Sequence, residues 1–480
     1  MQMVYLLMMR FMPGLALYFF FIGWFHSSVG AEEGPHFANG LKIGEVTSDS
    51  AIVWTRLTRQ AERHIEGSPF PKNNDRKRRS LPYENLDSME GAVPGKAGEV
   101  RLVFHQEGAK EEAVTTDWLS LSADANFAGQ FVIEKLAPGT RYEIIAEARP
   151  VGGAISAKVE GSFATAPAAE EAAPVGFTVV TGQDYPRRDD KVNGHQIYPR
   201  MKALGGDFFV HTGDIEYYDK AEPFADTVEL ARFKWNRLYA LPFQRDFHNH
   251  TASYFMKDDH DTLKNDAWPG QSYGDLTWDE GVALFPEQVP MGEKTYRTVR
   301  WGKDLQIWLV EGRDFRSANT MADGPDKTIW GEKQKRWFFE TVKDSDATFR
   351  VLISPTPLVG PDRGNKNDNH ANVGFTHEGD ELRAFIAAQK NMFVVCGDRH
   401  WQYVSVDPET GLREFSCGPT TDVHASGFKE NDRSEMHHYL KVKGGFLRVE
   451  VFRKRDEPRI AFRHYGVTGD LYNEDVQFAN

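Results

Sequence analysis

The chain is expected to fold into an all-β N-terminal part followed by a larger α/β part. Three observations carry this expectation. From about residue 36 to 167, β-branched and aromatic runs alternate with turn residues. A short stretch at 168–175, rich in Ala, Glu and Pro, has the composition of a linker. From 176 to 470, short wholly apolar runs recur with helical stretches between them, the pattern of strands buried on both faces. A length of 480 residues exceeds what one ordinary core accommodates. An apolar fraction of 40%, with 33 Phe, 16 Tyr and 11 Trp, supplies enough material for such cores and excludes a largely disordered chain.

The first segment, 1–31, reads as a targeting signal. Arg10 is the only charge before Glu32, an apolar stretch runs from Leu15 to Phe25, and Val29-Gly30-Ala31 offers the small residues that a signal peptidase needs. Pro13 and Gly14 interrupt the stretch, which leaves it short of the ~20 apolar residues of a membrane span. Export by signal cleavage is therefore expected, with no integral span afterwards. No Arg-Arg pair marks the twin-arginine route.

Within 36–167, Ala51–Thr55 and Tyr142–Ala146 are strand-like. Leu136-Ala137-Pro138-Gly139-Thr140-Arg141-Tyr142 looks like the turn and tyrosine that enter a late strand of fibronectin-III or Ig-like sandwiches. Arg76-Lys77-Arg78-Arg79 lies in a polar insertion and reads as a solvated loop or an anion contact. Cys396 and Cys417 either pair or stay as buried thiols, the simpler reading for Cys396 at the end of an apolar run.

Beyond the linker, the apolar runs end abruptly in polar residues. Phe177–Val180 leads to Thr181-Gly182-Gln183-Asp184, and Phe208–Val210 leads to His211-Thr212-Gly213-Asp214-Ile215-Glu216-Tyr217. Ser253–Met256 leads to Lys257-Asp258-Asp259-His260-Asp261, and Leu305–Val310 to Glu311-Gly312-Arg313-Asp314-Phe315-Arg316. Met392–Cys396 leads to Gly397-Asp398-Arg399-His400. Ligands of α/β sheets gather beyond the carboxyl ends of strands. Carboxylates converging there repel one another unless cations neutralise them, which points to bound metal.

These strand ends resemble the PhoD-like (alkaline phosphatase D) family of calcineurin-like metallophosphoesterases. Phe37–Gly44 with Thr47–Arg56 is similar to the family's N-terminal opening, and Gly213-Asp214-Ile215-Glu216-Tyr217 to its Gly-Asp-x-x-Tyr. Asp258-Asp259-His260-Asp261 stands for its Asp-Asp-His-Glu, and Gly397-Asp398-Arg399-His400 for Gly-His-x-His of relatives. The resemblance implies a catalytic domain of two packed mixed sheets flanked by helices. It implies a two-metal hydrolase that attacks phosphate mono- or diesters with a metal-held hydroxide. Asp214 would bridge two ions, Tyr217 and His400 would bind the first, and Asp259 and Asp398 the second. His260 would assist the leaving group, Arg313 would act on the phosphate in catalysis, and Arg316 would bind substrate; both arginines equally suit structural ion pairs. An Fe³⁺/Ca²⁺ pair is implied, with Mn²⁺ or Mg²⁺ as alternatives.

One departure concerns the first metal. The family places a cysteine where Gly182 stands, so Asp184 or Gln183 replaces it as a ligand or that position stays open. Three loops look particular to this chain: Tyr185–Asp190 with Asn193-Gly194-His195, Asn365–His370, and Ser416–His424, the last offering further ligands or pocket walls. Such loops set substrate choice; a small phosphate ester, a phospholipid head group and a cell-wall polymer all suit an exported enzyme. A net charge of −13 argues against nucleic-acid binding. The competing reading is a surface-binding or adhesion protein with an inactive phosphatase-like domain.

Overall fold

The computed structural model describes residues 34–70 and 85–479. The segment expected to be a signal, 1–31, and the Arg76–Arg79 stretch lie outside these residues. No helix among the described residues is long and apolar enough to cross a membrane.

Two large mixed sheets form the framework. The first runs, edge to edge, through Leu471–Phe478, Glu457–Tyr465, Phe446–Lys454, Val175–Val180, Phe208–His211, Ala252–Phe255, Leu41–Gly44, Ser50–Arg56 and Ala128–Glu134. Its middle strands Val175–Val180, Phe208–His211 and Ala252–Phe255 are mutually parallel. The second sheet has the order Arg297–Trp301, Leu305–Leu309, Phe349–Ser354, Met392–Cys396, Arg413–Cys417, Gln402–Val406 and His437–Lys441. Leu305–Leu309, Phe349–Ser354 and Met392–Cys396 are again parallel neighbours. The expected apolar runs are thus the central strands of both sheets.

Alternation along each strand explains why these runs are wholly apolar. Phe208 and Val210 face the second sheet, in one core with Ile307, Val351 and Phe393. Phe209, one residue out of phase, packs with Ile197, Tyr198 and Phe247 from helices Ile197–Leu204 and Pro242–Asn249. On the other side, Trp308, Leu352 and Val394 pack with Phe338 and Leu382 from helices Gly331–Asp344 and Thr376–Ala387. Each central strand therefore buries both faces, and polar residues enter only where the strand stops. Stacked rings of Phe415 and Phe462, 3.8 Å apart, close the space between the sheets. Cys396 and Cys417 are both buried and free.

The N-terminal β region is built into this framework. Its strands Leu41–Gly44, Ser50–Arg56 and Ala128–Glu134 extend the first large sheet. Its other layer is a five-stranded sheet of Val114–Thr115, Gly98–Gln106, Arg141–Arg149 and Ala157–Ala164, with Leu119–Leu121 beside Gly98–Gln106. Leu102, Ile144 and Phe163 share one core with Phe177 and Val210. At the junction, Gly44 pairs with Ser253 in parallel register. A Cβ at position 44 would lie 2.4 Å from the Ser253 carbonyl oxygen, so only glycine allows this approach.

Candidate metal centre

The carboxyl ends of the parallel strands meet at one cavity of about 170 Å³, and backbone geometry brings them there. After Phe208–His211 the chain turns at Gly213 (φ 111°), where a Cβ would fall 2.7 Å from the Asp258 amide nitrogen. Asp214 follows with φ 56°. After Met392–Cys396, a Cβ at Gly397 would meet Thr212 Oγ1 at 2.4 Å, and Asp398 has φ 59°. Left-handed backbone costs a non-glycine residue on the order of 1–3 kcal/mol, least for Asp and Asn, and such strain gathers at functional sites. Two aspartates from different sheets share it here.

The Asp258–Asp261 segment opens a short helix, Asp259–Thr262. Asp261 Oδ2 accepts the Asp258 N–H at 3.0 Å and its Oδ1 accepts the Glu216 N–H at 2.8 Å, which ties two strand-end loops together. Asp259 Oδ2 takes the Asp266 N–H.

The cavity is lined by Asp214, Tyr217, Asp259, His260, Asp398 and His400, six of the residues expected from the sequence. Asp214, Asp259 and His260 offer ligand atoms within 4.8 Å of one another, and so do Asp214, Asp258 and Asp398. The two groups share Asp214. Tyr217 Oη donates to Asp214 Oδ2 at 3.0 Å and lies 3.1 Å from His400 Nε2, which is 3.5 Å from the same Asp214 oxygen. Among the described residues, Asp214 Oδ1 and Asp258 Oδ2 are buried without a hydrogen bond. Such oxygens are costly unless something positive meets them, and a hard cation fits an oxygen-rich set of this kind. Tyr217 with His400 adds a phenol and an imidazole on one side, which suits a transition metal there.

Electrostatics agree with a site short of positive charge. Burial pushes the Asp214 carboxyl up to about 6, eased by His260 and reinforced by Asp259. Burial pushes Asp258 up to about 8 against the pull of Arg313. Asp259 feels the same burial, but His260 and Arg313 outweigh it and hold it at about 2. Burial would lower His260, yet Asp219, Asp259 and Asp214 raise it to about 10. Its Nδ1 is 2.6 Å from Asp219 Oδ1, which fixes the ring's orientation. Burial takes His400 down to about 3, with His260 adding to the effect, so its ring is neutral. Burial, then Asp214, raises the Tyr217 phenol well above its ordinary value, which a bound cation would reverse.

The remaining expected site residues lie elsewhere. Asp184 is buried and paired with Arg187 at 3.3 Å, outside the cavity lining. Gln183 spends its carbonyl on Tyr198 Oη (2.8 Å) and His211 Nε2 (3.1 Å). Arg313 is fully buried, with Nε on Asp258 Oδ1 at 2.5 Å and Nη2 3.9 Å from Asp259. Arg316 is buried on Asn319 and the Asp368 carbonyl. Arg313 is thus held in a buried ion pair with Asp258, whereas Arg316 meets only neutral acceptors and keeps Nε and Nη1 without a hydrogen bond.

Several groups at the site escaped the sequence reading. Asp258 and Asp219 lie outside the cavity lining, and Asp219 sits too far from His260 in sequence to signal contact. Arg187, Arg363, Lys366, Lys220 and His424 line the cavity. Arg187, Lys366 and His424 come from the three loops singled out as particular to this chain, but nothing in their composition said which side chain turns inward.

A model of the PhoD-like phosphatase family matches residues 177–461. No curated protein sequence matches the chain. Among solved structures, one described as the structure of PhoD superposes with a TM-score of 0.71 at 17% identity, covering 94% of this chain and 91% of that one. The purple acid phosphatase PPD1 from seeds of yellow lupin (Lupinus luteus) superposes with a TM-score of 0.63 at 10% identity, covering 91% of this chain and 73% of the other. These likenesses carry the fold across both the N-terminal β region and the two large sheets, and the family match spans more than half the sequence. The chain belongs to the PhoD-like phosphatase family and is a metallophosphoesterase.

Proposed function

We propose that this protein is an exported two-metal phosphoesterase acting on phosphate monoesters, diesters or both. The observation that carries the proposal is the pair of overlapping ligand groups with Asp214 in common. Asp214 would contact both cations, Tyr217 and His400 one of them, and Asp259 and Asp398 the other, with Asp258 close enough to join. When bound, the cations supply an acidified water and neutralise charge on the phosphoryl group. Fe³⁺ with Ca²⁺ is the family-based pair, and Mn²⁺ or Mg²⁺ suits the carboxylate side equally.

The chain's own residues then bind and protonate. Arg187, Arg363, Lys366 and Lys220 ring the cavity and would hold the phosphoryl oxygens and whatever negative charge the alcohol portion carries. As water oxygen bonds to phosphorus, the ester P–O bond opposite breaks. His260, charged and held by Asp219, gives its proton to the departing oxygen. The surface-binding reading has no observation in its favour. Asp214→Ala and Asp259→Ala are expected to lower turnover by at least about 1,000-fold and bound metal together, an effect of the size seen when electrostatic stabilisation is removed. Full activity in either variant would refute the assignment. Comparing bis-p-nitrophenyl phosphate with the monoester measures the diester preference. A small ester, a phospholipid head group and a cell-wall polymer are the candidate natural substrates.

We also read 36–167 as a fibronectin-III-like sandwich. In support, its strands divide into layers of first, second and fifth against third, sixth and seventh, leaving aside the short strand Leu119–Leu121, once Val114–Thr115 is taken as the extra edge. The Tyr142 hydroxyl accepts the Ala137 N–H at 2.8 Å, as a tyrosine corner does.

A further inference from the structure

His424 follows the strand Arg413–Cys417 and belongs to none of the ligand assignments above. It lines the same cavity as Tyr217 and His400 and is 2% exposed. Its ring lies 4.1 Å from that of His400 and 5.2 Å from that of Tyr217. Its Nδ1 is 2.9 Å from the Gly182 carbonyl oxygen. A carbonyl oxygen only accepts, so the proton sits on Nδ1 and Nε2 of the neutral ring keeps its lone pair. Holding an imidazole by a carbonyl at one nitrogen while the other faces a cavity is how proteins orient metal-binding histidines.

Position 182 explains the space. A Cβ there would come within 3.1 Å of His400 Nε2 and 3.2 Å of Pro419 Cβ. A side chain at 182 would therefore crowd His400, and what Gly182 offers His424 is its carbonyl. Gln183 and Asp184, the other candidates near this place, lie outside the cavity lining; Gln183 Oε1 meets Tyr198 and His211 and Asp184 Oδ2 meets Arg187, while Asp184 Oδ1 is buried without a hydrogen bond.

We propose that His424 Nε2 is a ligand of the cation held by Tyr217 and His400. The inference rests on the two-cation reading above. It gives one half of the centre two imidazoles, a phenol and the shared Asp214, and leaves the other half to carboxylates. The first donor set selects iron-like or zinc-like ions, the second Ca²⁺, Mg²⁺ or Mn²⁺.

The test uses full-length protein stripped of metal and titrated with Co²⁺, followed by its visible spectrum. Wild type should bind two ions per chain. His424→Ala should weaken one of them by at least about 100-fold, the upper range for loss of even an indirect partner of a metal site, and leave the second unchanged. His424→Cys should bind both and add a thiolate-to-cobalt charge-transfer band in the near ultraviolet. Thermal melts report whether each variant folds, and if His424→Ala does not, the cysteine variant decides. Undiminished binding of both ions by His424→Ala, or saturation of folded His424→Cys without the new band, overturns the role of His424. Fewer than two Co²⁺ on wild type overturns the two-cation reading itself.

Discussion

Asp214 combines two costs, a left-handed backbone, which Asp398 shares, and a buried carboxylate beside others. Neither cost is recovered in the bare protein, so the cluster should destabilise the fold until cations arrive. Asp214→Asn keeps a residue that tolerates this backbone while it removes the charge. It is expected to raise the melting temperature of the chelator-treated protein, by roughly 1–2 kcal/mol of stability, and to remove the stabilisation that added metal gives wild type. A melt of the variant that still rises with metal, or falls below wild type in chelator, would count against metal at Asp214. The six clustered residues were legible in the sequence because each follows a strand whose apolar run is unmistakable. Arg313 was open to two readings because an arginine after a strand has the same sequence whether it meets a phosphate or Asp258.

Glu378 shows how a buried carboxylate away from the centre can stabilise instead. It accepts the Ile329 N–H at 2.6 Å and lies 2.9 Å from His370 Nε2, so it fastens helix Thr376–Ala387 to the segment before helix Gly331–Asp344. Burial would raise its pKa, but His370 and Thr328 outweigh that and hold it at about 2. A depressed carboxylate contributes stability above its unfolded value, and that stability is lost as pH falls from about 4.5 toward 2. Glu378→Gln should therefore cost on the order of 2–3 kcal/mol at neutral pH and little below pH 2. Urea denaturation at several pH values measures it, and a loss independent of pH would contradict the assignment. The strands and helices themselves were readable from apolar periodicity, whereas this tie joins residues 49 positions apart and leaves no local pattern.

The first sheet runs without a break from the C-terminal hairpins to the N-terminal strands, and one core lies beneath both. Such a sheet should unfold as a unit, so calorimetry of metal-loaded protein is expected to show one transition across the N-terminal region and the phosphatase region. Gly44→Val should lower that single transition, because its side chain has no room beside the Ser253 carbonyl. Two separable transitions in wild type would refute the unit. The composition of the sequence set these regions apart but carried no sign that they share a sheet, since pairing between distant strands is written in neither. The pairing of Gly44 with Ser253 also has a temporal meaning. Ribosomes deliver about 5–20 residues each second, so the first strand of the sheet waits roughly 10–40 s for its neighbour to exist. Until then its edge is open to strangers, and whichever machinery accompanies the young chain must guard it for that interval.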